Sequence, residues 1–334
     1  MREGFLLLIF IISIGHMEAQ GVSIMSYNCE NAFDTIHDEG FQDEEYTPDG
    51  NRRWSRSRMY QKLKNIGKVI VAADTQRPVD IVCLEEVEND SVLTYLTRRT
   101  ALAALGYEYI MTHSADRRGI DVALLYSPFT FHPISPKSIR ANTTTPTRDV
   151  LHVCGTTGGS EPDTLDIYVV HLPSKLNGKE SERNRQMVVD AITASTDSIL
   201  AERKNAKIII LGDFNDTPDA PLLHHNFNGF TNLALQYQGK QSGSYKYQGG
   251  WETIDQILIS NALTHPETKG LRYHDVKVLD LPFLLEADTQ YGGDKPKRTF
   301  VGYRYNGGFS DHLPVILFLA PSSGTHWLRY ATPK

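Results

Sequence analysis

The chain has 334 residues with an ordinary globular composition, 40% hydrophobic and 22% charged, and a formal net charge of −6. This length gives room for one large α/β domain or two smaller ones, with a sizeable core. The acidic balance excludes a global basic footprint for nucleic acid, so a polyanionic partner has to be held by local basic patches or by a metal ion.

Arg2 precedes an apolar run over 5–14, and small residues follow near Ala19 and Gly21. The run is too short to span a bilayer. The pattern reads as a cleaved secretory signal over residues 1–21. Residues 22–334 are then expected to be one catalytic domain, exported to the periplasm or the extracellular space, with no transmembrane segment after cleavage. The three cysteines, Cys29, Cys83 and Cys154, are odd in number and lie in apolar, strand-like surroundings. Buried thiols are expected, with a Cys29–Cys83 pair left open.

In chain order, alternation over 23–28 predicts a first strand, ending in Asn28, Glu30 and Asn31. A polar, acidic loop follows. Met59, Leu63, Ile66, Val69 and Ile70 recur at helical spacing behind Ser55 or Ser57 as a cap. The exposed side of that helix and the loop before it carry Arg52, Arg53, Arg56, Arg58, Lys62 and Lys64, either a solvated basic face or a phosphate-facing rim. A buried strand over 80–84 runs into Glu85 and Glu86, and a helix is expected over about 91–105. Strands are expected over 107–112, 119–126 (behind Arg118) and 165–170, the last ending in His171. The stretch 154–163 reads as a hairpin connection.

A charged helix over about 181–203 leads into KIIILGDFND. Its β-branched run is too short for a useful helix and reads as a central strand buried on both faces. It ends in Gly212, Asp213 and Asn215, at the kind of strand end where ligands of α/β sheets gather. Residues 220–252 are irregular and rich in aromatics, including Tyr247 and Trp251. Asp255 begins a strand over 256–259. A long loop over 282–309 carries Lys295, Lys297, Arg298 and Arg304. Asp311 and His312 begin the last strand, over 314–319.

Asn28, Glu86, His171 and the Asp213/Asn215 pair each stand just after a buried strand, whereas Asp255 and the Asp311/His312 pair stand just before one. If the latter strands run antiparallel to the former, all of these groups fall on one rim. Convergent polar groups on a rigid rim describe an active site. Carboxylates and an amide, without cysteine or clustered histidine, suit a hard ion such as Mg²⁺. No nucleophile elbow, phosphate loop or dinucleotide fingerprint is present. Two histidines and carboxylates around Mg²⁺ fit hydrolysis of a phosphoester.

The motifs SYNCEN, CLEEV, GIDVALLY, VHLPSK, LGDFND, TIDQILIS and FSDHLPV resemble the endonuclease/exonuclease/phosphatase family, over nearly the whole mature chain and in the family's order. The resemblance implies an α/β fold of four layers: two mixed β-sheets packed face to face, with helices on the outer faces, as in deoxyribonuclease I. It implies Mg²⁺ (or Mn²⁺) as cofactor, with Glu86, Asp311, Asn28 and Glu30 at or near the metal. By the same resemblance, Asp213 and Asn215 orient or deprotonate the water, His171 contacts phosphate oxygens, and Asp255 orients His312. Whether Asp213 or His312 is the base stays open. The family's glutamine before the acidic ligand is Glu85 here. Arg118 matches loosely a position where a phosphate-contacting side chain sits.

A phosphodiester is the expected substrate, with nucleic acid favoured. Arg118, Tyr247, Trp251 and Arg304 are the expected substrate contacts, because basic side chains track phosphates and aromatic rings stack on bases. A phosphomonoesterase, a lipid or inositol phosphate hydrolase, and a non-catalytic exported binding protein are the alternatives. A monomer is expected, and the sequence identifies no protein partner.

Overall fold

The computed structural model describes residues 21–159, 162–175, 178–237 and 243–322. The expected signal segment lies outside the described residues, except for Gly21. Two six-stranded mixed sheets carry the fold. The first consists of β1 (Val22–Ala32), β2 (Ile81–Val87), β3 (Glu108–Met111), β4 (Asp121–Tyr126), β13 (Leu271–Val278) and β18 (Val315–Pro321), in the order β13-β18-β1-β2-β4-β3. The second consists of β5 (Phe131–Ile139), β6 (Val150–Thr157), β7 (Thr164–His171), β8 (Lys207–Asp213), β9 (Phe230–Asn232) and β12 (Asp255–Ser260), in the order β5-β6-β7-β8-β12-β9. Three short hairpins complete the strands: β10 (Tyr245–Tyr247) with β11 (Gly250–Glu252), β14 (Leu285–Ala287) with β15 (Asp294–Pro296), and β16 (Phe300–Val301) with β17 (Arg304–Tyr305).

Strand alternation separates the layers. On β1 and β2, Val22, Ile24, Ile81 and Cys83 face the core between the sheets, where they meet Leu151, Ile167, Ile209 and Ile257 of the second sheet. The intervening Met25, Tyr27, Val82 and Leu84 face the opposite way. They meet Leu63, Ile66 and Ile70 of α1 (Arg56–Ala72) and Leu93 and Leu96 of α2 (Asp90–Arg99). On the other outer face, Tyr168, Val170, Ile208 and Ile210 meet Val188, Val189 and Ile192 of α3 (Gly178–Glu202). A period of two on the strands gives each sheet two apolar faces, and the helices cover the outer ones.

The structure alters several sequence expectations. β5 has no counterpart among them, because its burial alternates and most of its outer positions are exposed. Cys154 lies inside β6, paired with Asp166 of β7, so the hairpin connection begins later than expected. α2 stops at Arg99; Thr100 then turns its hydroxyl to the Leu102 amide, and a short 3₁₀ turn follows. The loop over 282–309 contains two of the hairpins. All three cysteines are free. Cys29 and Cys83 face different cores, which rules out a bond between them.

The basic rim also differs. Lys62 is buried rather than exposed, and its Nζ donates to the Phe309 carbonyl oxygen at 2.6 Å and to Thr299 Oγ1 at 2.5 Å. Arg58 donates to the carbonyls of Arg52 and Arg53. Arg52 pairs with Glu45 and lies over the rings of Tyr46 and Phe300. These side chains hold the 282–309 loop against α1.

Candidate active site

The polar strand ends converge because neighbouring strands run in the required directions. β7 and β8 are parallel, which sets His171 beside Asp213. β12 is antiparallel to β8 and brings Asp255 opposite Asp213. In the first sheet, β18 is antiparallel to β1, so residues 311–312, just before β18, return to the end of β1 where Asn28 stands. Asn28 Nδ2 donates to Asp213 Oδ2 at 3.0 Å and ties the two sheets together at this rim.

Gly212 is required here. With φ of 141°, a Cβ at this position would lie 1.9 Å from the Val170 carbonyl oxygen of the neighbouring strand. Four side-chain-bearing residues of the rim also sit at positive φ: Glu30 (49°), Asn31 (59°), Glu86 (62°) and Asn215 (49°). Backbone conformations of this kind are costly and gather where function over-determines them.

At Glu86 the cause is a bulge. The register of β2 on β4 shifts between Glu85 and Val87, so Glu86 is the extra residue. Two consecutive glutamates thereby reach different places. Glu85 continues the strand's inward parity and is fully buried, its Oε1 accepting from Ser26 Oγ at 3.0 Å. Burial and the charges of Asp255 and Asp213 push its carboxyl well above the usual range. Glu86 turns into the cleft, where its Oε2 accepts from the Asn31 amide at 2.9 Å and its Oε1 lies 3.3 Å from Arg118 Nη2.

The environments of the two histidines push their pKa values in opposite directions. His312 Nδ1 lies 2.8 Å from Asp255 Oδ2, and its Nε2 end points towards Asp213 Oδ2 at 3.9 Å. Burial opposes its charge, but Asp255, Asp213 and Asp311 outweigh burial and hold its pKa well above the ordinary histidine value. His171 Nε2 lies 3.6 Å from the same Asp213 oxygen and 4.0 Å from Glu86 Oε1. Burial, reinforced by Arg148 and Arg118, pushes its pKa well below the ordinary value. Burial also raises the Asp213 carboxyl, against the pull of His312. The Asn215 amide donates to Asp213 Oδ1 at 2.8 Å, while Asn215 Nδ2 is tied to the Leu172 carbonyl.

Around these residues lies a cleft of ≈ 690 Å³, lined by Glu86, Arg118, Arg148, His171, Asp213, Asn215, Tyr245, Tyr247, Asp311 and His312 among others. Tyr247 and Arg118 therefore reach it, as the sequence suggested. Trp251 and Arg304 do not line it. On the β10–β11 hairpin, Tyr245 pairs with Glu252 and Lys246 with Trp251. Alternation sends Tyr245 and Glu252 into the cleft and leaves Trp251 to pack against the core over the first sheet. Arg304 stands exposed on the β16–β17 hairpin.

The structure adds Arg148, which the sequence did not single out, and gives Arg298, noted among the basic residues of its loop, a definite place at the rim. Arg148 is buried in the cleft wall, held by Asp116 at 2.9 Å and by the Leu172 carbonyl at 3.0 Å. Arg298 reaches Glu30 Oε1 (3.2 Å) and Asp311 Oδ2 (2.8 Å). Both stand in segments whose sequence carries no periodic signal, so only tertiary contact reveals their partners.

Glu86 and Asp311 are carboxylates that line the cleft on the first-sheet side, and their hard oxygen donors fit a divalent ion. Their present partners, Arg118 and Arg298, are each more than two-fifths exposed and able to swing aside. Glu30 is engaged differently, by Arg298, by the Thr299 amide at 2.6 Å, and by Lys62 at 4.0 Å. Asn28 has both side-chain ends in use, on Asp213 and on the Glu30 amide. Asp213, Asp255 and His312 form another compact donor group.

A carboxylate-rich rim with two histidines, at the strand ends of a two-sheet sandwich, is the scaffold of a phosphoester hydrolase. The chain belongs to the endonuclease/exonuclease/phosphatase family, whose sequence model matches residues 23–321. Among solved structures it resembles truncated Caenorhabditis elegans TDP2 (17% identity, TM-score 0.57, 90% of this chain and 97% of that one). It also resembles a Bacteroides thetaiotaomicron mannosyl-6-phosphatase (15%, 0.56, 90% and 99%) and the human nocturnin catalytic domain (18%, 0.52, 90% and 94%). At these identities the likeness establishes the deoxyribonuclease I-like fold. A search of curated protein sequences finds no significant match. No helix among the described residues is long and apolar enough to cross a membrane.

Proposed function

We propose that this protein is a divalent-metal-dependent phosphodiesterase acting on nucleic acid, by attack of water on phosphorus. The observation that carries the reading is the Asp255–His312 pair facing Asp213, with His171 on the other side of the same carboxylate. When bound, Mg²⁺ or Mn²⁺ supplies charge neutralisation at the phosphate. Glu86 and Asp311 would hold it, while Asn28 and Glu30 position the elements that carry them.

Asp213, with its carboxyl raised by burial, takes the proton from the attacking water, oriented by Asn215. The His312 imidazolium, fixed by Asp255, donates from Nε2 to the oxygens on which charge develops. Neutral His171 and the guanidiniums of Arg118 and Arg148 bind the remaining phosphate oxygens. Tyr245 and Tyr247 offer ring faces to a base beside the scissile phosphate. Export to the periplasm or exterior, where chromosomal repair has no substrate, belongs to the same reading.

The test is a substrate panel with purified protein and Mg²⁺: DNA, RNA, bis-p-nitrophenyl phosphate, sphingomyelin, and inositol and sugar phosphates. Cleavage of nucleic acid, with affinity falling steeply as salt rises and weakened by Tyr247→Ala, is expected. Brisk turnover of a small phosphomonoester with no nucleic-acid cleavage at low salt would replace this reading with a phosphatase.

A further inference from the structure

The β10–β11 hairpin is docked on the catalytic rim. Tyr245 forms a bridge to His312, and the two rings lie 4.9 Å apart, centroid to centroid. Tyr247 stands two residues further along the same face of β10, about 6.5 Å away along the strand. It lines the cleft and is 54% exposed. The turn beyond it is Gln248-Gly249, with φ of 45° and 85°, the two-residue turn whose twist matches that of the flanking strands.

The β14–β15 hairpin fixes the tip of the first. Asp288, just past β14, accepts the Tyr291 amide on Oδ1 at 3.2 Å and pairs through Oδ2 with Lys246 at 3.1 Å. Lys246 Nζ also donates to the carbonyls of Gly292 at 2.9 Å and Asp294 at 3.0 Å. The Lys246 and Asp288 side chains are each 5% exposed, so a buried ion pair locks the two hairpins together. The lock seats Tyr291 on the turn: a Cβ at Gly249 would lie 2.9 Å from Tyr291 Cβ and 3.1 Å from its Cγ. Tyr291 itself is 53% exposed. Three tyrosines thus step outward from the reacting centre, Tyr245, Tyr247 and Tyr291, on a support that holds them in place.

Ring faces of this kind stack on bases. Only unpaired bases have faces to offer, since a duplex covers them and is read at its groove edges. The cleft, at ≈ 690 Å³, has the size of a small-molecule pocket, which suits one nucleotide of a strand rather than the width of a duplex. We propose that the substrate is single-stranded nucleic acid and that Tyr291 is a specificity-determining contact, stacking on a base that leaves the cleft over the hairpin tip. The proposal rests on the nucleic-acid reading above and narrows it to one class of strand.

The test measures Mg²⁺-dependent cleavage by the full chain, and by Tyr291→Ala and Tyr291→Phe, of four substrates. These are a single-stranded oligonucleotide of about 12 nucleotides, the same sequence as a duplex, a dinucleotide and bis-p-nitrophenyl phosphate. The unmodified chain is expected to prefer the single strand over the duplex by about tenfold or more in kcat/KM. Tyr291→Ala is expected to raise KM for the long strand about tenfold, the scale of one lost stacking contact. The effect on the dinucleotide, too short to reach the tip, is expected to be smaller, and Tyr291→Phe, which keeps the ring, to retain the KM of the unmodified chain. Equal cleavage of duplex and single strand would overturn this proposal alone. So would an unchanged KM in Tyr291→Ala, or an equal loss on all four substrates with a lowered melting temperature, the mark of a packing role. Turnover of bis-p-nitrophenyl phosphate without cleavage of any nucleic acid would overturn the nucleic-acid reading and this proposal with it.

Discussion

The two halves of the candidate active site balance their charges by different means. On the second-sheet side, the ion-pair partners of Asp213 and Asp255 are histidines, and burial raises the Asp213 carboxyl. On the first-sheet side, Glu86, Asp311 and Glu30 are met by Arg118, Arg298 and Lys62, reaching in from a strand connection, a loop and α1. In the reading proposed above, the first arrangement holds a proton at a defined atom. The second holds negative charge that a guanidinium can release, which is what a metal-binding rim needs. On that reading, proton handling and charge neutralisation are divided between the sheets, and Asn28 joins the two sides through its hydrogen bond to Asp213.

The sharpest way to break this division is to remove proton-handling groups. Asp213→Asn, His312→Ala and His171→Ala are each expected to lower turnover by about 10²-fold or more while leaving metal affinity and melting temperature close to wild type. Turnover would be measured alongside metal titration; near wild-type rates in two of the three, with folding intact, would refute the shared site. On the other side, Glu86→Gln is expected to weaken Mg²⁺ or Mn²⁺ binding, read by calorimetry, with little loss of fold. Activity of the unmodified protein should vanish in chelator and return with either ion. Full activity in chelator would remove the metal from the mechanism.

Lys62 sharpens the comparison at the level of stability. Replacing it with Met leaves Glu30 without a buried cation and the Thr299 and Phe309 oxygens without a donor. A loss of about 3 kcal/mol is expected in denaturant unfolding, with the double variant Lys62→Met, Glu30→Gln recovering part of it. An unchanged midpoint for Lys62→Met would mean that the loop is held elsewhere.

The smallest effect lies far from the rim. Burial opposes the Asp166 carboxylate, but hydrogen bonds from His152 and Arg203 outweigh it and hold its pKa below the usual aspartate value. The unfolded chain therefore binds the proton more readily than the folded one. The associated stability is full above the ordinary aspartate range, about pH 4, and is lost as pH falls through the lowered folded value. Asp166→Asn should flatten the acid limb of the stability curve; an unaltered limb would show that the ion pair contributes nothing there.

Much of the rim was legible in the sequence because it stands at the ends of strands whose apolar runs are unmistakable. Asn28, Glu86, His171, Asp213 and Asp255 are fixed by a period of two and by the point where that period stops. Arg148 was not legible, and Arg298 was legible only as a basic loop residue near Asp311, because an arginine in an irregular segment looks the same whether it is solvated or folded under a strand end. Trp251 was misplaced for a related reason. The sequence showed an aromatic next to Asp255, but the register of a three-residue hairpin decides which of its faces meets the cleft.

What the sequence determined by itself was the set of buried strands, the helices with an apolar stripe, and the polar residues that punctuate them, since these follow from local periodicity and turn chemistry. What only the tertiary structure decided was direction and depth. Antiparallel pairing of β12 with β8 and of β18 with β1 turned residues before strands and residues after strands into neighbours. The bulge at Glu86 separated it from Glu85, sending one carboxyl into the cleft and burying the other between the sheets. Lys62, polar by type and placed on a basic helix, ended in the interior because a loop some 240 residues away folded over it. Charge and hydrophobicity are properties of a residue, but the cost of burying a charge depends on which partner arrives, and that is settled only when distant parts of the chain meet.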